Sequence, residues 1–122
     1  MACQYFAPCD HGTHSFTIAI PKVTFGRGTL TEVGVRALSL GMSDVALFTD
    51  GGLLDGEYVA TVKDSLTAAG VAFQIFSDIR IEPDDFCVEQ AAEFIKSGKF
   101  DGMISVGGGS VVDTAKAAVV CA

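Results

Sequence analysis

Three consecutive glycines, Gly107, Gly108 and Gly109, separate the apolar run "MISV" (Met103–Val106) from a segment of helical spacing that opens on Ser110. A loop of this kind can hold an anion with backbone groups alone. Glycine adopts angles closed to other residues and, lacking a Cβ, lets a phosphate come close to the main chain. The N–H groups in the first turn of the following helix have no partner within it and point at that anion. Ser110 and Asp113 also match a Ser-x-x-Asp capping pattern at the helix start. The same glycines also suit a tight strand-to-helix turn with no ligand, and spacing alone leaves both readings open, with phosphate binding ahead. No Gly-Lys-Ser/Thr follows, so this is not a Walker loop, which counts against an NTPase.

Asp50 is the second group with chemistry to offer. It ends the strand-like run "VALFT" (Val45–Thr49). A carboxylate there can accept hydrogen bonds from an adenosine ribose and repel a 2′-phosphate. It can also be a solvated turn aspartate before Gly51 and Gly52. Upstream, "FGRGTLTEVG" (Phe25–Gly34) places Gly26 and Gly28 before a helix, with Asp50 roughly twenty residues further on, as in a Rossmann fingerprint. The third glycine, Gly34, is misplaced for that fingerprint, so these glycines read as turn residues.

Metal and thiol chemistry finds less support. Cys3, Cys9, His11 and His14 lie close together in "CQYFAPCDHGTH". Their spacing fits no usual zinc module, in which close cysteine pairs stand apart from histidine pairs. They read as chance ligands in an N-terminal tail. Cys87 and Cys121 fall in expected helices and read as small core residues. No histidine stands near either in sequence to act as a base, which sets aside a Cys–His hydrolase.

The elements that must position these groups follow from apolar periodicity. "FTIAIPKVTF" (Phe16–Phe25) reads as a strand or edge hairpin, with Pro21 keeping it from a central position. Leu30, Val33, Ala37 and Leu38 share a helix face that ends at Gly41, and Val59, Val62, Leu66 and Ala69 share a second that ends at Gly70. Pro83, Asp84 and Asp85 open a third helix whose inner face is Val88, Ala91, Ala92 and Ile95, with Gly98 closing it. "AFQIF" (Ala72–Phe76) and "MISV" are further strands. Strands alternating with helices over short connections predict a Rossmann-like α/β fold. Its sheet is doubly wound and mostly parallel, with helices on both faces. Residues 1–15 are expected to be a tail and 16–122 a dinucleotide-binding domain. The final helix, "VVDTAKAAVVCA", is apolar on nearly every side and has no capping glycine, which predicts a domain cut at its last helix.

Composition narrows the partners. The 122 residues carry a net charge of −7 with only eight Lys and Arg, so neither nucleic acid nor an anionic membrane is an expected partner. A dinucleotide is an anion too, but backbone amides can hold it without lysines. No apolar run approaches the length of a membrane span, about 18 residues. Met1–Ser15 lack Arg and Lys, unlike a secretory signal or a transit peptide. The scattered cysteines predict a reducing compartment: the cytoplasm, or the mitochondrial matrix if a presequence has been removed.

The stretch "GGGSVVDTAK" resembles the signature of the iron-containing, or group III, alcohol dehydrogenase family. That signature reads Gly-Gly-Gly-Ser, two variable residues, Asp, then Ala or Cys before Lys. "VTFGRGTLTEVG", "VALFTD" and "IEPDD" are similar to the family's entry strand and first helix, its second strand, and the turn before its third helix. Within the family, "IEPDDFCVEQAAEFIKSGKFD" and "FDGMISVGGGSVVDTAKAA" are most similar to the hydroxyacid–oxoacid transhydrogenase branch. The resemblance implies an NAD pyrophosphate site at Gly107, Gly108, Gly109 and Ser110, and a ribose-selecting role for Asp50 that favours NAD over NADP. It places Asp113 on the nicotinamide and substrate side. Lys116 matches the signature lysine, for which a structural pairing with Asp113 is the favoured role.

The implied reaction passes a hydride between NAD and an alcohol or hydroxy acid, with iron or zinc polarising the oxygen. The family's metal ligands, one Asp and three His, belong to a second, helical domain that this chain does not contain, and the piece alone is expected to be inactive. Homodimerisation is a further implication. Two other readings stay open: a stand-alone nucleotide-binding module, and a lyase of the related dehydroquinate-synthase fold, against which the "DTAK" ending speaks.

Overall fold

The computed structural model describes residues 17–19, 21–80 and 82–122. Its elements are a 3₁₀ turn (Thr29–Glu32), α1 (Val33–Ser39), β1 (Asp44–Thr49), α2 (Glu57–Ala68), β2 (Ala72–Phe76), α3 (Asp85–Ser97), β3 (Gly102–Val106) and α4 (Gly109–Cys121). The three strands form one parallel sheet in the order β2-β1-β3. Central β1 is buried from Val45 to Thr49, as a strand covered on both faces must be.

Alternation along β1 sends its side chains into two cores. Val45 and Leu47 pack with Ala37 of α1 and Val62 and Leu66 of α2. Ala46 and Phe48 pack on the opposite face, with Ala91 of α3 and Val111, Ala115 and Ala118 of α4. The second core is also aromatic, with Phe48 edge-on to Phe94 at a centroid distance of 6.0 Å and Phe76 5.4 Å from Phe94. The doubly wound α/β expectation is therefore met.

Local signals act where the sequence places them. Asp84 caps α3, its Oδ1 accepting from the Cys87 N–H at 2.8 Å. Gly41 and Gly70 follow α1 and α2 with φ of 78° and 74°, the left-handed turn that favours glycine. At the start of the strands, the Asp101 carboxylate accepts from the Ser43 N–H at 2.8 Å, the Ser43 hydroxyl at 2.5 Å and the Asp44 N–H at 3.0 Å. These bonds, the Ser43 hydroxyl first, hold its pKa below the usual aspartate range. They staple the entry of β3 to the entry of β1.

Several expectations fail. Residues 17–19 and 21–25 form no strand and lie exposed, with Phe25 at 99%. Their alternation meets no sheet neighbour among the described residues, and pattern without a partner makes no strand. Leu38 is exposed on α1, because α1 packs on α2 through Gly34 and Ala37 instead. Cys121 is exposed at the end of α4, away from the face formed by Val111, Ala115 and Ala118, whereas Cys87 is buried as expected. Cys3, Cys9, His11 and His14 fall outside the described residues.

Candidate nucleotide-binding crevice

The helices that follow β1 and β3 leave to opposite faces of the sheet, α2 to one and α4 to the other. Since β1 and β3 are neighbours, their C-terminal ends frame a crevice of the kind in which open α/β sheets bind ligands. The register pairs Thr49 with Val106, so the Asp50 turn and the triple glycine start side by side.

The two walls differ in construction. On the β3 side, Gly107 has φ 154°, and an added Cβ would meet Val111 Cγ2 at 2.6 Å. This glycine is required by the turn itself. Gly108 and Gly109 are exposed, and a Cβ on either would meet nothing within 4 Å. Neither glycine is demanded by packing, so the space a Cβ would fill is open to a ligand. The first backbone bond of α4 runs from the Val112 N–H to Gly108 O at 3.2 Å. The amides of Gly109 and Val111 ahead of it have no backbone acceptor among the described residues, and at a helix N-terminus they present partial positive charge.

The helix begins at Gly109 with Gly108 as its N-cap, one residue earlier than expected. Ser110 therefore lies inside the first turn and is not the cap, which removes the Ser110–Asp113 capping box. Its carbonyl instead accepts from the buried Thr114 hydroxyl at 2.7 Å. Asp113 is exposed one turn into α4. The expected Asp113–Lys116 pair does not form: ion pairs among the described residues are Arg36–Glu32, Arg80–Asp84 and Lys96–Glu93. Without that pair Lys116 is simply an exposed helix residue.

On the β1 side, half-buried Asp50 fixes its own turn. Oδ1 accepts from the Leu53 N–H at 2.8 Å, and the Asp50 carbonyl accepts from the Leu54 N–H at 3.1 Å. No described residue donates to Oδ2, so one oxygen orients the carboxylate while the other stays available. The turn role and the ribose role, alternatives on sequence alone, are thus compatible at one residue.

The early glycines have other uses, as their misplaced spacing implies. Gly34 lies where α1 crosses α2. A Cβ there would collide with the Ser65 carbonyl, and the Gly34 N–H donates to Ser65 Oγ at 2.9 Å. A groove of about 660 Å³ lies beside α1 and β3 around Leu30, Met42 and Ile104, away from the crevice. No group of three or more His, Cys, Asp or Glu among the described residues is placed to hold a metal ion. None of the described helices is long and apolar enough to cross a membrane.

Comparison with known proteins converges on one family. The profile described as "Iron-containing alcohol dehydrogenase" matches residues 21–122. The mitochondrial hydroxyacid-oxoacid transhydrogenase of Mus musculus is 41% identical over 105 residues, covering 86% of this chain and 23% of its own length. The Homo sapiens protein of that name is 36% identical over the same span. Among solved structures, NADH-dependent butanol dehydrogenase A of Thermotoga maritima superposes with a TM-score of 0.79 at 34% identity, over 85% of this chain and 27% of its own. Sulfoacetaldehyde reductase from Bifidobacterium kashiwanohense, solved in complex with NAD⁺, gives a TM-score of 0.69 at 28% identity, over 76% of this chain and 24% of its own. The chain thus spans about a quarter of the length of the relatives it matches, at the part that forms this sheet, and it belongs to the iron-containing alcohol dehydrogenase family.

Proposed function

We propose that this chain is the NAD-binding part of a metal-dependent oxidoreductase that transfers a hydride between NAD and an alcohol or a hydroxy acid/oxo acid pair. The observation that carries the reading is the crevice between β1 and β3, with an open amide cradle on one wall and an oriented carboxylate on the other. Family membership favours this over the synthase-like lyase.

NAD, when bound, supplies the carbon that accepts or releases the hydride. The chain's own groups bind and orient it. Gly107 makes the turn, Gly108 and Gly109 admit the pyrophosphate, and the first-turn amides of α4, with Ser110 among them, face its charge. Asp50 takes the adenosine ribose hydroxyls on Oδ2 and disfavours a 2′-phosphate by charge, which selects NAD over NADP. Asp113, one turn deeper, faces the nicotinamide and substrate side.

In this reading the metal, iron or zinc, and the substrate walls belong to polypeptide beyond these residues, and the catalytic protein is a homodimer. The transhydrogenase relatives are mitochondrial by name, which favours a mitochondrial compartment over the cytoplasm.

Calorimetric titration of the 122-residue chain with NAD tests the reading. The expected result is weak, saturable binding with a preference over NADP. No turnover of alcohols or hydroxy acids is expected, with or without added iron or zinc. Absence of NAD binding would overturn the cofactor assignment, and turnover by this chain alone would overturn the division of labour.

A further inference from the structure

Among the described residues, the buried side-chain polar atom without a hydrogen-bond partner is Thr49 Oγ1. Thr49 is fully buried. Valine has nearly the same shape and would leave no orphaned hydroxyl, so packing alone gives no reason for threonine here. Its place is informative. It is the last residue of β1, opposite Val106, the last residue of β3, at the floor of the crevice.

By strand alternation Thr49 shares the face of Val45 and Leu47, the face that carries α2. The loop from Asp50 to Gly56 leaves β1 directly after it and runs to α2 on that face. The loop's own backbone bonds are Leu53 N–H and Leu54 N–H to Asp50 O, and Gly56 N–H to Leu53 O. None of them ties down the carbonyls of Gly51 or Gly52, so among the described residues these peptide acceptors have no backbone donor.

We infer that Thr49 is a positioning residue for the crevice: its hydroxyl gains a hydrogen bond when dinucleotide binds and the Asp50–Gly56 loop settles over it. The inference rests on the NAD reading above. The free protein carries the unpaired hydroxyl, the bound protein does not, and the difference favours the bound loop. Thr49 touches no cofactor atom in this account. It acts through the loop that holds Asp50.

The test compares wild type, Thr49→Val and Thr49→Ser, each by thermal unfolding without ligand and by calorimetric titration with NAD. Thr49→Val is expected to raise the unfolding midpoint of the free protein. It should weaken NAD binding by about threefold to tenfold, the range that one net hydrogen bond supplies. Thr49→Ser, which keeps the hydroxyl, should restore the affinity. These opposed signs separate positioning from simple packing, which would move both readouts together. A lowered midpoint for Thr49→Val, or an unchanged NAD affinity, overturns the inference. If wild type binds NAD and Thr49→Val binds it equally, this inference falls alone. If wild type takes no NAD, the crevice reading falls and takes this inference with it.

Discussion

The two strand-to-helix turns that frame the crevice occupy equivalent places in the fold and solve the same geometric problem in opposite ways. After β1, the chain turns by satisfying itself: Asp50 accepts from Leu53 and Leu54, and the loop closes on Gly56. After β3, the chain turns by omission. Gly107 avoids a collision with Val111, and Gly108 and Gly109 leave space that no neighbour fills. The first turn is held by its own bonds and keeps Asp50 Oδ2 open. The second turn leaves the Gly109 and Val111 amides without a backbone acceptor among the described residues. The contrast separates a glycine that the turn requires from two that packing does not require, within three consecutive residues.

Substitutions can break that contrast. The largest effect is expected from Gly107→Ala, which forces a Cβ against the Val111 side chain at a φ of 154°. It should cost about 2–4 kcal/mol of stability, read as a lower urea midpoint. A loss below about 1 kcal/mol would mean that this turn shifts freely. Gly108→Val should reverse the pattern, changing stability by no more than about 1 kcal/mol because a Cβ there meets nothing. Its cost falls on NAD affinity, weakened more than about tenfold, or 1.4 kcal/mol, by blocking the phosphate's approach. Unchanged affinity in a titration would reduce Gly108 to a turn residue.

The smallest effect tests the staple at the other end of the same strand pair. The pKa of Asp101 is depressed by its bonds to Ser43 and Asp44, so its contribution to stability is present above the ordinary aspartate pKa, about 4. It is lost as pH falls through the depressed value, when the native carboxylate protonates. Asp101→Asn should therefore lower the unfolding midpoint at neutral pH and flatten its decline below about pH 4. Parallel acid curves for the two proteins would remove the staple from the account.

The sheet, its two-faced burial and the glycine loop were legible because each rests on short-range pattern. Apolar runs bounded by turn residues give β1, β2 and β3, and period-3.6 faces with their closing glycines give the course of α2 and α3. The misses share a cause. The alternation in residues 17–19 and 21–25 and the outward Leu38 and Cys121 depend on whether a partner lies alongside, which local spacing does not record. The capping pattern at Ser110 failed by one residue because Gly108 can serve as N-cap without a side chain. Thr49 carried no sequence signal, since a threonine ending a strand is ordinary until its burial is known.

Composition and periodicity determined the α/β class, the net negative charge, and the place of the glycine loop between a strand and a helix. These are properties of neighbours along the chain. Tertiary structure decided the strand order β2-β1-β3 and the opposite exits of α2 and α4, and with them the crevice that sets Asp50 beside the triple glycine. The separation of Gly107 from Gly108, and the isolation of the Thr49 hydroxyl, were decided there too. Each depends on which atoms lie within a few ångströms across the fold, a distance that spacing along the chain does not encode.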